Sequence, residues 1–185
     1  MGIITQENKK KEIKEPMLRQ ITLGEMAMAK TIFGNSMSYN VWVHCDSYLP
    51  FGMQSDNVAM APNGDIYFRK SLYRHDFSED FAEYKHLFMH ELTHVWQHQN
   101  GMWVRTRGLF SSLADYNYYL DSKKKLSDYG MEQQASIVAD YFILKTYGIS
   151  GLITGIQDGY VRISNRIDPN TIESIYRSVL PNSIL

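Results

Sequence analysis

The chain has 185 residues, 44% of them hydrophobic, which is enough to form one domain with a substantial core. Nineteen Lys and Arg residues balance 20 Asp and Glu residues, so the charge gives no reason to expect nucleic acid or an anionic membrane as a partner. The sequence contains no apolar run of about 18 residues, so it offers no candidate transmembrane helix.

The first 18 residues are polar and rich in lysine and glutamate, unlike the rest of the chain. We interpret residues 1–18 as a polar linker and residues 19–185 as one domain. The lysines of this stretch are not followed by the apolar run of a secretory signal peptide. We therefore expect that, if the protein acts outside the cell that makes it, another route exports it.

The first part of the domain carries helix and strand signals in alternation. Thr22 and Glu25 have the spacing of a capping box and predict a helix that ends at Gly34. Alternating valines at 39–44 predict a strand. Two short apolar segments, at 58–61 and 66–68, then flank an Asn-Gly turn at 62–65. This pattern predicts a β-hairpin.

Two strong amphipathic helices dominate the remainder of the chain. The first, at 81–99, contains no Pro or Gly, and its apolar residues recur at helical spacing: Leu87, Phe88, Leu92, Val95 and Trp96. Either Asp80 or Ser78 is expected to cap it. The second spans 131–147 and ends at a glycine, and the glycine-rich stretch at 151–160 is interpreted as a plain connection.

A last helix is predicted between Asp168 and Pro181. The fold class that follows is α+β: a mostly α domain with a small antiparallel β-sheet or hairpin packed beside the first long helix. An edge strand in that position can bind an extended peptide by main-chain pairing.

The first long helix contains the motif His90-Glu91-Leu92-Thr93-His94. Histidines four residues apart lie on one face of a helix, one turn above the other, so both imidazoles can bind a single zinc ion. Glu91 lies beside the first ligand, where its carboxylate can act as a general base on water. The alternative is a helix with surface or core histidines, but the uninterrupted helical pattern around the motif favours a metal site.

A catalytic zinc needs a third protein ligand. The longer HExxHxxGxxH pattern is excluded, because Gln97 and Asn100 stand at its glycine and third histidine. We expect Glu132, in the first turn of the second long helix, because the small residues after it allow close helix packing. Asp128 and Asp140 are the rivals, and Asp140 is the better candidate for a partner that orients an imidazole.

Two further histidines and the single cysteine complete the candidates. His86 and His98 are too far apart along the helix, about 18 Å, to share one ion, and we interpret both as surface histidines. Cys45 with the adjacent His44 suggests a cysteine hydrolase, but neighbours along a strand point to opposite faces. We therefore expect a buried thiol, and a lone cysteine also excludes an intramolecular disulfide.

Two motifs together resemble a known family. Residues 90–97 (HELTHVWQ) and 132–135 (EQQA) are similar to the zinc metallopeptidase effector domains carried by type VI secretion spike (valine-glycine repeat) proteins. The similarity extends over about 21–147 and includes three upstream segments, 23–25, 48–52 and 63–68. One departure is Ser136, because the thermolysin pattern has an aspartate four residues after the ligand glutamate.

The resemblance implies a Glu-type zincin with one Zn²⁺ ion bound by His90, His94 and Glu132, and with Glu91 as general base. It also implies an antibacterial toxin that is delivered into a neighbouring cell and acts in its periplasm. A spike or carrier protein and an immunity protein are the further partners to expect. Its substrate would be protein or peptide. A polar linker in place of a signal peptide agrees with delivery of this kind.

The expected reaction is hydrolysis of a peptide bond by water, with Glu91 moving the proton to the leaving amine. A donor that stabilises the oxyanion is also needed, and the candidates are His98, Tyr160 and Arg162. A different class of function stays open: a non-catalytic, zinc-stabilised domain that binds a partner. A closed metal site with a fourth protein ligand would distinguish that module from an enzyme.

Overall fold

The structure is a computed structural model that describes residues 15–102 and 115–184. Within these ranges the chain is mostly helical with one small sheet, which confirms the predicted α+β class. The elements are β1 (Met17–Gln20), α1 (Leu23–Phe33), β2 (Trp42–Cys45), β3 (Ile66–Phe68), α2 (Ala82–Gln99), α3 (Met131–Gln157) and α4 (Ile172–Val179). Short 3₁₀ turns lie at Pro50–Gly52, Phe77–Glu79, Leu126–Asp128 and Asn182–Ile184.

The three strands form a mixed sheet in the order β1-β2-β3. Strands β1 and β2 are antiparallel, whereas β2 and β3 are parallel, so the prediction of a purely antiparallel sheet was wrong. The parallel pair is possible because the long connection at 46–65 returns the chain to the same end of the sheet. Val43 and Cys45 point into the core, and His44 lies on the other face against Tyr67.

The predicted hairpin is present only as a minimal pairing. Met60 and Tyr67 form one isolated antiparallel bridge, with N–H···O distances of 3.1 and 2.8 Å. Asn63 stabilises the turn between them through its side chain, which accepts a hydrogen bond from the backbone N–H of Asp65. The segment at 58–61 therefore runs beside β3 without becoming a full strand of the sheet.

The N-terminal helix α1 is fixed by the predicted capping box. Thr22 accepts a hydrogen bond from the Glu25 backbone, and the Glu25 carboxylate accepts one from the Thr22 backbone. Glu25 is fully buried because Arg19 of β1 binds both of its oxygens at 2.7 Å. Strand β1 begins at Met17, two residues before the expected start of the domain, and residues 1–14 of the predicted linker lie outside the described residues.

Helices α2 and α3 pack against each other more extensively than any other pair of elements. Helix α3 is interrupted at Gly148, whose φ of 68° and ψ of −168° are unfavourable for residues with a side chain. The chain is helical again up to Gln157, so the plain connection expected at 151–160 is largely a helix. No helix in the described ranges has the length and apolarity needed to cross a membrane.

The start of α2 differs from the prediction. Its N-cap is Phe81, which provides no side-chain cap, so neither Asp80 nor Ser78 has that role. Asp80 instead forms an ion pair of 2.8 Å with Arg74, and Ser78 binds Asp76. The helix is held in place by its buried side chains, including Phe88, rather than by its cap.

Candidate metal centre

The candidate site lies where α2 crosses the beginning of α3. Helical spacing places His86, His90 and His94 on the face of α2 that contacts α3. Opposite them, Ala135 and Ser136 of α3 are fully buried, and small side chains of this kind allow the two helices to approach closely. This is the arrangement that was expected from the small residues following Glu132.

Three of the predicted residues converge on one point. The Nε2 atoms of His90 and His94 lie 3.2 and 3.0 Å from the same carboxylate oxygen of Glu132. One ligand atom from each residue lies within 4.8 Å of the others. Tetrahedral zinc with bonds of about 2.0–2.1 Å has its ligands about 3.3 Å apart, so the donor set fits one such ion.

The electrostatics of the cluster are dominated by burial and by the shared carboxylate. Burial lowers the pKa of His90 to about 4, despite its bond to Glu132. For His94 burial acts in the same direction, but the bond to Glu132 and its charge prevail and raise the pKa to about 9. Burial also opposes ionisation of Glu132, yet the two histidines hold the pKa of that carboxyl well below its usual range. His94 therefore carries the proton that balances Glu132.

Glu91 is placed beside this cluster without joining it. Its side chain is buried in the wall of the cleft, and its Oε2 atom has no hydrogen-bond partner among the described residues. Burial raises the pKa of Glu91 to about 7. A buried carboxylate oxygen with no partner is costly unless a ligand or water satisfies it, so this atom indicates that the site accommodates one.

A cleft with a volume of about 370 Å³ opens over the cluster. One wall is the segment from Val58 to Pro62, and another is formed by Tyr116, Tyr160 and Arg162. Two of the three predicted oxyanion donors, Tyr160 and Arg162, therefore line the cleft. The third, His98, does not line it, because it lies at the exposed end of α2 near Gly64.

Tyr116 is a site residue that sequence reasoning missed. Its ring centroid lies 5.8 Å from that of His90, and burial, with Glu132 and Glu91, raises its pKa to about 12. The phenol therefore keeps its proton and can donate a hydrogen bond into the cleft. The only available signal was the tyrosine-rich stretch at 116–119, which does not distinguish one tyrosine from another.

His86 is also different from the prediction, because it is buried and not a surface residue. Its Nε2 atom lies 2.6 Å from Asp140, which also accepts hydrogen bonds from the Tyr118 hydroxyl and from the backbone N–H groups of Arg162 and Ile163. Asp140 does orient an imidazole, as predicted for a partner of a histidine, but the imidazole belongs to His86 and not to a member of the metal cluster.

The cysteine hypothesis is weakened by the structure. Cys45 is fully buried on the inner face of the sheet, whereas His44 points to the opposite face. Burial, with a smaller contribution from Glu15, raises the pKa of the thiol to about 11. A protonated, inaccessible thiol is a poor nucleophile.

The fold and site define a mostly helical α+β domain that gathers two histidines and a glutamate beneath a cleft. The chain is 42% identical to the type VI secretion system spike protein VgrG2b of Pseudomonas aeruginosa over 135 residues, which cover 69% of this chain. The match spans 13% of the length of VgrG2b. A solved structure, the effector domain of P. aeruginosa VgrG2b, superposes with a TM-score of 0.63 at 35% identity and covers 79% of this chain and 84% of that one. No family model matches the chain. The chain belongs to the family of the VgrG2b effector domain.

Proposed function

We propose that this domain is a zinc-dependent endopeptidase with His90, His94 and Glu132 as metal ligands and Glu91 as general base. The observation that carries the proposal is the convergence of three ligand atoms beside a buried, unpartnered carboxylate at the base of an open cleft. Within the described residues no fourth side chain closes the cluster, which favours a catalytic over a structural site.

Bound zinc would lower the pKa of a coordinated water and polarise the carbonyl of a peptide bond. Glu91 accepts the proton of the attacking water through its free Oε2 atom and passes it to the leaving amine. Its pKa of about 7 suits both transfers near neutral pH. Tyr116 keeps its proton and donates a hydrogen bond to the developing oxyanion.

A polypeptide substrate is supported by the backbone of the cleft wall. Met60 uses both backbone groups to pair with Tyr67. The backbone groups of Ala59 and Ala61 form no hydrogen bond with the described part of the chain, and both residues line the cleft. In an extended segment, the backbone N–H and C=O groups of alternate residues point to opposite edges. Those of Ala59 and Ala61 therefore point away from Tyr67, and an extended peptide can pair with them.

The similarity to the spike protein VgrG2b supports a proposal about how the domain is delivered. We infer that the domain is an effector of a type VI secretion system, carried on a spike protein as in the relative VgrG2b. The proposed destination is the periplasm of a target cell, where cleavage of a protein would be toxic. A cognate immunity protein in the producing population is part of the same proposal.

The proposal is tested with Glu91→Gln, compared with Glu83→Gln, which changes an exposed glutamate of the same helix and cleft. We expect Glu91→Gln to bind zinc normally and to cleave an unfolded protein substrate at least about 10²–10⁴-fold more slowly, because the proton acceptor is lost. Glu83→Gln should retain activity, and a chelator should abolish cleavage by every form. Unchanged cleavage by zinc-loaded Glu91→Gln, or by the chelated wild type, would contradict the mechanism.

A further inference from the structure

Gln97 is a buried glutamine that contacts both halves of the candidate metal centre. It follows His94 on α2, and it is fully buried. Its Oε1 atom lies 2.8 Å from Nδ1 of His94. Its Nε2 atom donates to the backbone carbonyl of Met131 at 3.1 Å and to the side chain of Gln134 at 3.1 Å. Met131 is the residue directly before Glu132, so one side chain spans the two helices that supply the ligands.

The direction of these hydrogen bonds is set by backbone carbonyls, which can only accept. The Nε2 group of Gln134 donates to the carbonyl of Tyr129 at 2.8 Å, so its Oε1 atom faces Gln97 as an acceptor. Gln97 must therefore direct its own Nε2 group toward Gln134 and Met131. That leaves only its Oε1 atom for His94, which must carry a hydrogen on Nδ1.

This chain of bonds fixes which nitrogen of His94 is available to a metal. With hydrogen on Nδ1, the neutral ring has its lone pair on Nε2, the atom that faces Glu132. For His90, the hydrogen bond found within residues 15–102 and 115–184 joins Nε2 to Glu132. Within the described residues, Gln97 therefore supports both His94 and the backbone beside Glu132.

We propose that Gln97 is a positioning residue that sets the tautomer of His94 and the register of Glu132 against it, with Gln134 as the second link. The inference rests on the proposed function in that the bound ion is zinc. Partners that orient metal-ligating histidines are often carboxylates or backbone carbonyls. A neutral amide orients the ring without adding negative charge to the site.

The test is zinc affinity, measured by competition with a chromophoric chelator on the full chain. We expect Gln97→Met to weaken zinc binding by about 10–100-fold, the usual cost of losing a partner of a metal ligand. Gln134→Met should weaken it less, by several-fold, because the bond between Gln97 and His94 remains. The matched control is Gln99→Met, which removes an exposed glutamine of the same helix that, within the described residues, bonds only to Ser38.

Unfolding of the metal-free variants and the absorption of bound Co²⁺ provide readouts that do not depend on activity. Gln97→Met should change the Co²⁺ spectrum relative to Gln99→Met, because the orientation of one ligand is lost. If Gln97→Met folds and binds zinc with the wild-type affinity, the inference is overturned. If Gln97→Met does not fold, wild-type zinc affinity in Gln134→Met overturns the inference instead. A wild-type chain that binds zinc and cleaves nothing overturns the proposed function alone.

Discussion

Helices α2 and α3 hold two histidine–carboxylate clusters that have opposite properties. In one, His90 and His94 share a single oxygen of Glu132, whose side chain is 15% exposed to the cleft. In the other, His86 binds Asp140, whose side chain is 0% exposed. Both clusters use the same residue types on the same pair of helices, so composition alone does not separate them.

The difference lies in how completely each carboxylate is satisfied. Asp140 accepts from the His86 ring, from the hydroxyl of Tyr118 and from two backbone N–H groups, which uses its full capacity. Glu132 receives hydrogen bonds only from the two imidazoles within the described residues. A saturated carboxylate anchors the structure, whereas one facing two imidazoles at an open cleft is available to a cation.

Removing the Glu132 carboxylate should have the largest effect on metal binding. We expect Glu132→Ala to lose zinc affinity by more than the about 10–100-fold typical of residues that only support a ligand. The matched control is Asp128→Ala, which removes the exposed rival carboxylate. Equilibrium dialysis with zinc measures the affinity of both variants. Loss of the metal by Asp128→Ala, with retention by Glu132→Ala, would assign the third ligand to Asp128 instead.

Removing the Asp140 carboxylate should mainly reduce the stability of the fold, and not primarily the affinity for zinc. Asp140→Ala leaves a buried histidine, a tyrosine hydroxyl and two amides without their partner, so we expect the free energy of unfolding to fall by about 3–5 kcal/mol. Denaturation by urea measures this change, with Asp158→Ala, at the exposed C-cap of the same helix, as control. One ordinary hydrogen bond contributes about 0.5–1.5 kcal/mol to stability. A loss below about 1 kcal/mol would therefore mean that Asp140 contributes no more than a single bond, which would contradict its anchoring role.

Tyr116→Phe should affect the reaction and leave both clusters intact. The hydroxyl is expected to stabilise the oxyanion, and loss of one such donor costs about 10²–10³-fold in turnover. Zinc affinity and stability should stay at their wild-type values. Tyr119→Phe is the control, since that ring is 71% exposed. Equal activity of the two variants would shift the donor role to Tyr160 or Arg162.

The pH dependence of zinc binding should be the smallest of these effects. Zinc must displace the proton that His94 carries in the metal-free chain, where its pKa is about 9. Affinity should therefore rise about tenfold per pH unit from neutrality toward pH 9 and level off above it, because no proton is then displaced. Titration in buffers of different pH measures the slope, and His98→Ala should leave it unchanged. A flat profile would show that His94 is already neutral at pH 7.

Sequence periodicity was sufficient for elements that depend on local contacts. The capping box of Thr22 and Glu25, the extent of α2 and the position of Glu132 in the first turn of α3 all follow from neighbouring residues. The parallel pairing of β3 and the burial of His86 depend on partners far away in sequence, and no local pattern encodes them. The position of Tyr116 beside His90 likewise depends on the folded chain, since no local pattern brings the two residues together.

The saturation of Asp140 has a consequence for how short a working fragment can be. A chain cut after Gln157 would retain Glu91 and every proposed ligand of the ion. It would lose the amides of Arg162 and Ile163, and also Tyr176, whose hydroxyl lies 2.7 Å from that of Tyr118. Truncation would thus remove Tyr160 and Arg162 from the cleft and leave Asp140 and Tyr118 without these partners. The smallest stable fragment with an intact cleft should therefore include α4, although α4 lines no part of the cleft.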